Sequence, residues 1–293
     1  MIIGGIMGTK ILVTGGTGTT GTHLVNLLNQ QKADFKALVR SEEKARPLQE
    51  KGVATTIGDF ASPSSIDQAL EGIEKVFLLS AAGPDQVEHQ GNFVQSCQKA
   101  AVKYIVKVSA IGTAADSPVA LARWHAQTEE EIRKSGLNYT FLHPHAFMQN
   151  QFANIETIKS QGAIYAPMAD AKFATVDARD IASVATRLLS EDGHEGKTYL
   201  LTGPEAISMS DIAGTLERLL GKEVNYLPVS FEDARKAMLG MGMPEWLADD
   251  LTELNKIFAA GHGAEVSNDI ETVTSKKATP FEQFAKDHID FFK

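Results

Sequence analysis

The first half of the chain alternates short apolar runs with segments in which apolar residues recur at helical spacing. The apolar runs have the length of β-strands and predict strands at residues 10–14, 35–39, 54–57, 75–79, 104–109 and 139–142. The helical patterns between them predict helices near residues 21–30, 41–51, 62–71, 87–101 and 120–135. This alternation is typical of an α/β protein with a doubly wound parallel sheet, the Rossmann architecture, in which helices cover both faces of the sheet.

Beyond residue 150 the pattern is looser. One more strand of the sheet is predicted at residues 197–201, within a returning segment near 174–203, and a helix at 209–220 ends before Gly221. A short strand at 224–227, a helical stretch over 230–261 and an amphipathic helix from Phe281 follow. We therefore expect a Rossmann domain over residues 1–150, completed by the returning strand, and a smaller, mostly C-terminal α+β cap over 151–293.

Composition narrows the class of protein. The 293 residues suit a large α/β domain with a smaller appendage, and the net charge of -9 argues against binding to nucleic acid or to an anionic membrane. Because Cys97 is the single cysteine, we expect no disulfide, no multi-cysteine metal site and a cytoplasmic protein. Residues 1–8 lack the basic segment of a signal peptide and are interpreted as a loose, tag-like start. No apolar run approaches the ~20 residues of a membrane-spanning helix.

A glycine-rich turn, T-G-G-T-G-T-T-G at residues 14–21, joins the first predicted strand to the first predicted helix. Such a turn brings backbone N–H groups and a helix N-terminus to a phosphate. A P-loop frame fails because Thr22 and His23 stand where lysine and serine or threonine are required. Two dinucleotide frames remain, one with glycines at 16, 18 and 21 and one at 15, 18 and 21. An ordinary tight turn is the alternative.

The end of the second predicted strand favours NADP(H) over NAD(H). An aspartate or glutamate there binds the ribose hydroxyls of NAD, whereas an arginine accommodates the 2′-phosphate of NADP. This chain has Arg40 at that position, with Lys44 one helical turn later. A solvated strand-end charge is the alternative for Arg40. After the third strand, Asp59 and Phe60 offer a carboxylate and a ring to an adenine, although Asp59 is equally suited to stabilise the turn.

The usual acid/base pair of this fold is missing. Short-chain dehydrogenases and nucleotide-sugar epimerases use Y-x-x-x-K, in which lysine lowers the tyrosine pKa for proton transfer to a carbonyl oxygen. None of the five tyrosines is followed four residues later by lysine, and Tyr104 and Lys107 are predicted to lie on opposite faces of a strand. Neither G-x-S-x-G nor H-E-x-x-H occurs, so a serine hydrolase and a zincin are not supported.

Several segments together resemble the NmrA-like, atypical short-chain dehydrogenase family, and within it the bacterial NADPH-dependent quinone reductases and triphenylmethane (dye) reductases. They are I-L-V-T-G-G-T-G-T-T-G at 11–21, A-L-V-R at 37–40, G-D-F at 58–60, V-K-V-S-A at 106–110, N-Y-T-F-L at 138–142, P-H-A-F-M-Q-N at 144–150, V-D-A-R-D-I-A at 176–182, G-H-E-G-K-T-Y at 193–199 and P-V-S-F-E at 228–232. The resemblance covers most of the chain. Members of the family also lack the Y-x-x-x-K pair.

The resemblance implies a cofactor site for NADP(H). It places the glycine turn on the pyrophosphate, Arg40 on the 2′-phosphate, Asp59 and Phe60 at the adenine, and the later strand ends towards the nicotinamide. The implied cofactor-binding residues are Gly15, Thr17, Gly18, Thr19, Gly21, Arg40, Lys44, Asp59, Phe60, Ser80, Ser109, Ala110, His125, Pro144 and Phe147. His125 stands where the family often has lysine and is the candidate catalytic residue, as a ribose ligand or a proton shuttle. A structural, hydrogen-bonded helix histidine is the alternative.

The acceptor side of the site is less strongly patterned. His143 precedes a proline where the family usually has arginine, which changes the expected charge beside the nicotinamide. His143 and His145 share a side of an extended segment, but without a third ligand we predict a substrate pocket and no metal. The predicted substrate contacts are His143, His145, Phe147, Met148, Asn150 and Trp246. The methionine-rich stretch around Trp246 suits a flat aromatic ligand, with ordinary core packing as the alternative.

Together these features predict an NADPH-dependent reductase that passes hydride to a quinone, a dye or a similar conjugated acceptor. Hydride transfer into a conjugated system depends mainly on holding donor and acceptor in contact, so positioning can replace a Tyr–Lys pair. An NmrA-like redox sensor that binds NADP(H) without turnover is the alternative. The expected partner is a small conjugated or aromatic acceptor, with neither nucleic acid nor membrane, and a homodimer stays open.

Overall fold

The computed structural model describes residues 11–293 in two compact units. The interpretation of residues 1–8 and the predicted strand position of Lys10 lie outside these residues. Neither unit is a single stretch of chain. The first unit takes in the chain up to Ser117, Leu121–Pro144 and Ala178–Leu200, and the second takes in Pro118–Ala120, His145–Asp177 and Leu201–Lys293. The chain passes from the first unit to the second after Pro144, six residues before the boundary predicted at residue 150.

The first unit contains seven strands that alternate with helices. In chain order these are β1 (Ile11–Val13), α1 (Thr19–Gln30), β2 (Phe35–Val39), α2 (Glu42–Gln49), β3 (Ala54–Ile57), α3 (Pro63–Ala69), β4 (Lys75–Leu78), α4 (Gln86–Lys99), β5 (Tyr104–Val108), α5 (Ala120–Ser135), β6 (Asn138–Pro144), α7 (Ala178–Ser190) and β8 (Lys197–Leu201). Each of these strands was predicted, while α7 was not. The first residue of α5, Ala120, belongs to the second unit.

The seven strands form one sheet in the order β3-β2-β1-β4-β5-β6-β8. The pairs from β3 to β6 are parallel, with Val13 opposite Ala37 on one side and Phe77 on the other. The order runs outwards in both directions from β1, which confirms the predicted doubly wound fold. Because the strands are parallel, the ends of β1 to β6 share one edge of the sheet, where ligands bind in this class of fold.

Local sequence explains how the elements begin. The side chain of Ser41 accepts a hydrogen bond from the Lys44 backbone N–H at 3.3 Å and caps α2, and Pro63 occupies the first turn of α3. In the sheet, β1 is fully buried, and α7 packs against α1. The amphipathic α7 thereby covers an apolar face that α1 alone would leave in water.

The returning strand β8 is anchored to β6 through the turn before it. The Thr140 hydroxyl donates to the His194 carbonyl oxygen at 2.5 Å, and the Gly196 N–H donates to the Tyr139 carbonyl oxygen at 2.7 Å. The Tyr104 hydroxyl lies 2.6 Å from the Thr140 hydroxyl, so the turn is joined to β5 as well. These bonds satisfy buried polar groups that the apolar interior would otherwise leave unpaired.

The second unit is mostly helical and carries a two-stranded parallel sheet of β7 and β9. After a 3₁₀ segment at Met148–Asn154, its elements are α6 (Ile155–Gln161), β7 (Ala163–Ala166), α8 (Met209–Leu220), β9 (Asn225–Pro228), α9 (Phe231–Gly240), α10 (Glu245–Ala259), α11 (Asp269–Thr274), α12 (Phe281–Asp287) and α13 (Ile289–Phe292). The helical stretch predicted over residues 230–261 is two helices, because Gly242 takes a left-handed φ of 82° and Pro244 precedes α10. β7 was not predicted.

Aromatic side chains from the C-terminal helices complete the core of the second unit. Phe284 and Phe292 are fully buried, and the ring of Phe284 lies 5.6 Å from that of Phe152. The amphipathic helix predicted from Phe281 is thus two short helices, α12 and α13, whose aromatic side chains pack into this core. Within residues 11–293, no helix is both long and apolar enough to cross a membrane.

Candidate functional site

The turn between β1 and α1 is built on a close approach of its own backbone. Gly15 has a φ of 65°, and a Cβ added there would lie 2.8 Å from the Leu79 carbonyl oxygen. A Cβ on Gly21 would lie 2.0 Å from the Gly15 carbonyl oxygen, so neither position accepts a side chain. The Gly18 N–H donates to the same Gly15 oxygen at 2.9 Å. The turn therefore depends on Gly15, Gly18 and Gly21, the longer of the two frames left open by the sequence.

The rim of this turn is exposed and has the chemistry of an anion site. Gly18 is the N-cap of α1 and supplies no side-chain hydrogen bond, and the first turn of the helix carries no acidic residue. Thr17, Gly18 and Thr19 are exposed, while the hydroxyl of Thr20 is buried and has no partner among the described residues. The first N–H groups of a helix have no partner within the helix and attract negative charge. The turn thus fits the pyrophosphate of a dinucleotide.

Arg40 and Asp59 follow β2 and β3 at the same edge of the sheet as the glycine turn. The side chains of Arg40 and Lys44 are exposed and no carboxylate of the described residues forms an ion pair with either. Asp59 has a structural task, because its carboxylate accepts from the Ala61 N–H at 2.9 Å and its own N–H donates to Ser65 Oγ at 3.0 Å. This is the turn-stabilising role that the sequence left open. A contact of Asp59 with adenine stays a prediction.

Ser80, predicted to lie at the end of β4, is hydrogen-bonded to a buried amide. Gln90 on α4 donates to the Ser80 hydroxyl at 2.8 Å, and its own carbonyl oxygen is buried without a partner among the described residues. The half-buried ring of Phe60 packs against Phe93, with 4.9 Å between centroids. An unpaired buried acceptor is costly, so the Gln90 amide is suited to a ligand that donates a hydrogen bond.

Glu129 is the buried centre of a polar cluster that also contains the buried Ser109, the half-buried His143 and the exposed Arg133. Its carboxylate accepts from the Ser109 hydroxyl at 2.5 Å, from His143 Nε2 at 2.7 Å and from Arg133 at 2.9 Å, and its side chain is 3% exposed. Burial raises the pKa of Glu129, but the hydrogen bonds from His143 and Ser109 and the nearby positive charges outweigh burial and lower it. Glu129 is therefore a stable anion, and it holds His143 by Nε2 in the place where the family resemblance led us to expect arginine.

Lys107 on β5 is fully buried and reaches His125 on α5. Its Nζ donates to His125 Nδ1 at 2.9 Å and to the Val108 carbonyl oxygen at 3.2 Å. The amide nitrogen of Gln86 lies 3.3 Å from the same His125 Nδ1. Burial lowers the pKa of Lys107 to about 7, although the charge of Glu129 opposes this, and burial together with the charge of Lys107 keeps the pKa of His125 well below its usual value.

Sequence reasoning named Ser80, Ser109, His125 and His143 but missed their partners. These are Gln86, Gln90, Lys107 and Glu129. One local pattern pointed to the lysine: a charged residue stands inside the apolar strand Y-I-V-K-V. A charge in a strand covered on both faces needs a partner or a function. The two glutamines and the glutamate carry no such pattern, because they lie on amphipathic helices whose facing residues come from other parts of the chain.

The predicted substrate residues fall in both units. His143 belongs to the first unit, whereas His145, Phe147, Met148, Asn150 and Trp246 belong to the second. His145 is 1% exposed, its Nε2 lies 2.9 Å from the Gly263 carbonyl oxygen, and its ring stacks on Phe258 at 4.9 Å. Met148 is equally buried, in the hydrophobic core of the second unit.

These positions correct two predictions. His145 and Met148 are core residues, because a hydrogen bond and apolar packing already occupy their side chains. Phe147 and Trp246 are half-buried and Asn150 is exposed, which leaves each of them surface for a ligand. In the part of the chain that the structure describes, no group of three or more His, Cys, Asp and Glu residues could hold a metal ion.

Comparisons with known proteins agree with this geometry. A profile of the NmrA-like family matches residues 7–286. An NAD(P)H azoreductase of Xenophilus azovorans is 41% identical over 282 residues, covering 96% of this chain and 99% of the azoreductase. An NADPH-dependent quinone oxidoreductase of Escherichia coli, in complex with NADPH, has a TM-score of 0.87 at 28% identity and covers 96% of this chain and 99% of its own. A Citrobacter sp. triphenylmethane reductase complexed with NADP(H) has a TM-score of 0.86 at 28% identity, over 95% and 99% of the two chains.

The resemblance inferred from the sequence motifs is thereby confirmed. The family profile extends from the first strand of the sheet into the last helices of the second unit. The azoreductase matches over nearly the full length of both proteins, so the likeness is not confined to the nucleotide-binding half. This chain belongs to the NmrA-like family.

Proposed function

We propose that this protein is an NADPH-dependent reductase of quinones, azo or triarylmethane dyes, or related conjugated acceptors. The observation that carries the proposal is the β1–α1 turn, whose glycines leave an exposed, uncapped helix N-terminus at the ligand-binding edge of the sheet. The relatives named above are reductases of such acceptors by name, and two of those structures contain NADP(H) or NADPH. The bound nicotinamide supplies the hydride, and the protein supplies position and protons.

The cofactor residues follow from the strand ends. We propose that the backbone of Gly15, Gly18 and Gly21, with Thr17 and Thr19, holds the pyrophosphate. Arg40 and Lys44 have exposed cationic side chains and form no ion pair with a carboxylate of the described residues, which suits a 2′-phosphate. The remaining proposed contacts are Asp59 and Phe60 at the adenine, Ser80 and Ser109 with Ala110 along the cofactor, and Pro144 and Phe147 near the nicotinamide.

His125 is the residue that we propose to touch the reacting groups. Its Nδ1 has two N–H donors beside it, from Lys107 and Gln86, so the ring carries its proton on Nε2. Among residues 11–293 no partner lies within hydrogen-bonding distance of Nε2, and the side chain is only half-buried. A neutral imidazole with one free N–H can donate a proton to an acceptor that has just received hydride.

For the acceptor we propose a flat conjugated molecule. Phe147, Asn150 and Trp246 of the second unit stay predicted contacts, as does His143 of the first unit. The half-buried aromatic rings of Phe147 and Trp246 offer stacking surface, and Glu129 fixes the orientation of the His143 ring. Cys97, the single cysteine, is buried and reduced, and we propose a cytoplasmic location. Cell fractionation tests that location. A homodimer, the oligomeric state left open by the sequence, is tested by light scattering.

The decisive experiment is turnover with a panel of acceptors. Purified protein should oxidise NADPH with menadione, a triarylmethane dye or an azo dye, and a parallel series with NADH measures cofactor preference. Constant NADPH absorbance with every acceptor would refute the reductase. Tight binding of NADP⁺ or NADPH without turnover would then favour the redox sensor that the sequence left as the alternative.

A pair of histidine variants connects the activity to the proposed site. His125→Phe should lower kcat by about a hundredfold or more, the lower range for loss of a general acid. His89→Phe is the matched control, because His89 is a half-buried histidine of the same unit on α4 and has no proposed role. Equal activities of the two variants would remove His125 from the reaction.

A further inference from the structure

Lys107 is an unusual residue for the centre of a parallel sheet. It lies in the middle of β5, where the whole strand is buried, and its side chain is 0% exposed. No carboxylate of the described residues forms an ion pair with its Nζ, whose partners are the Val108 carbonyl oxygen and His125 Nδ1. Burying an ammonium group without an ion pair is strongly unfavourable. An apolar residue would fill the same place at a lower cost in folding free energy, so we expect the buried amine to have a function.

The contact between Lys107 and His125 indicates what this function is. A protonated amine has only hydrogen-bond donors, so Lys107 Nζ at 2.9 Å requires His125 Nδ1 to be the acceptor. Gln86 Nε2, 3.3 Å from the same atom, also presents an N–H. Lys107 and Gln86 therefore both select the tautomer with the proton on Nε2. Lys107 is the only one of these two partners that can also hand over a proton.

The groups around Lys107 set how readily it gives up that proton. Glu129 and His125 approach from α5 and His143 from β6, while Gln86 from α4 is neutral. Burial lowers the pKa of Lys107, the negative charge of Glu129 raises it, and the balance is about 7. The amine is thus poised to exchange a proton at neutral pH, which an exposed lysine is not.

We propose that Lys107 is the positioning residue of a two-step proton relay: it holds His125 in the Nε2–H tautomer and replaces the proton that His125 gives to the reduced acceptor. The relay rests on the proposed reductase function. A neutral acceptor such as a quinone gains hydride from NADPH, its two-electron reductant, and becomes an anion. The His125 Nε2–H bond then breaks and its proton joins the anion, while a Lys107 Nζ–H bond breaks and its proton forms a bond to His125 Nδ1. A solvent proton next binds Nε2, and the Nδ1 proton returns to the neutral amine, which restores the Nε2–H tautomer and the Lys107 ammonium.

Two substitutions separate the two parts of this role. Lys107→Met removes both the N–H donor and the transferable proton, whereas Lys107→Gln keeps an N–H donor for Nδ1 but has no proton to give. Lys103→Met is the matched control, since Lys103 lies just before β5, is 68% exposed and pairs with Glu74 on the surface. All are assayed with NADPH and menadione across the pH range that brackets the Lys107 pKa of about 7.

The wild type and the control should share one pH profile, in which kcat is high below about pH 7 and falls above it as Lys107 loses its proton. Both Lys107 variants should lose that fall, with kcat about a hundredfold lower below neutral pH and KM changed less than about twofold. If Lys107 had only a structural role, replacing it would not remove the fall of kcat above about pH 7.

The tautomer is read without turnover, in the cofactor-free protein. Nitrogen NMR of the His125 ring should show the Nε2–H form in the wild type and in Lys107→Gln. In Lys107→Met only the longer contact from Gln86, at 3.3 Å, still favours that form, so the fraction of the Nδ1–H tautomer should increase. An Nδ1–H ring in the wild type, or a pH limb that survives in both Lys107 variants, would overturn the relay and leave the reductase intact. A wild-type protein that turns over no acceptor would overturn the reductase, and the relay with it.

Discussion

The buried amine of Lys107 predicts an unusual dependence of stability on pH. Its pKa is about 7 in the folded protein against 10.5 for the free side chain, so between these values the unfolded chain binds more protons than the folded one. The contribution of Lys107 to the unfolding free energy of the wild type should therefore rise with pH above neutrality. Below pH 7 both states are protonated, and the full penalty of burying the charge remains.

The size follows from the same shift. With those two pKa values, the linkage relation gives a gain of about 2 kcal/mol in unfolding free energy between pH 7 and pH 9. Lys107→Met has no such group, so it should be more stable than the wild type at pH 7, and its advantage should shrink by about 2 kcal/mol at pH 9. Lys107→Met would then be less active than the wild type but more stable at neutral pH.

Denaturant unfolding of both proteins at pH 7 and pH 9 measures how the gap in unfolding free energy between them changes with pH. The contributions of all other titrating groups are the same in both proteins and cancel to first order. Lys103→Met should change stability by about 0–1 kcal/mol, as for other surface ion pairs, and equally at both pH values. A gap between wild type and Lys107→Met that is the same at pH 7 and pH 9 would refute the reasoning, because it would mean that the buried amine does not titrate in this range.

Three further predictions concern the cofactor site and its charge. Arg40→Asp should weaken NADPH binding far more than NADH binding, measured by titration calorimetry with each; equal losses would contradict the 2′-phosphate assignment. Gly21→Ala should abolish dinucleotide binding, since its Cβ would lie 2.0 Å from a backbone oxygen, whereas Gly214→Ala, with nothing within 4 Å in helix α8, should bind normally and gain about 0.5–1 kcal/mol in stability. Glu129→Gln should move the falling limb of kcat to lower pH, because the Glu129 charge raises the pKa of Lys107; a limb that stays in place would show that the two groups are not coupled.

Local sequence carried enough information to predict the sheet and the edge at which its parallel strands end. The strands at Phe35–Val39, Ala54–Ile57 and Lys197–Leu201 have the predicted bounds, because each consists mainly of apolar, aromatic or β-branched residues between polar turns. The same holds for α8, which ends at Gly221 in a left-handed conformation. The residues predicted at the strand ends share one edge of the sheet because the strands are parallel, and their contacts with the cofactor stay predictions.

Local patterns of this kind could not predict contacts between residues that are far apart in the sequence. His145 was predicted beside the substrate, yet the Gly263 carbonyl oxygen that its ring contacts comes 118 residues later. The role of Glu129 depends on Ser109 and His143, twenty residues before it and fourteen after. Hydrophobic periodicity does not predict such contacts, because they depend on how a helix packs against the strands that precede and follow it. The short strand β7 was missed for a related reason, since its partner β9 follows about sixty residues on.

The interrupted path of the chain limits how the protein can be divided. A polypeptide ending at residue 150 would contain six strands and the complete glycine turn, but it would lack α7 and β8. The apolar face of α1 would then lie in water, and β6 would become an open edge with unpaired backbone groups, a template for aggregation. The sheet of the nucleotide-binding half is therefore completed only by residues 178–200, so during synthesis this half can mature only after residues 145–177 of the second unit have already been made.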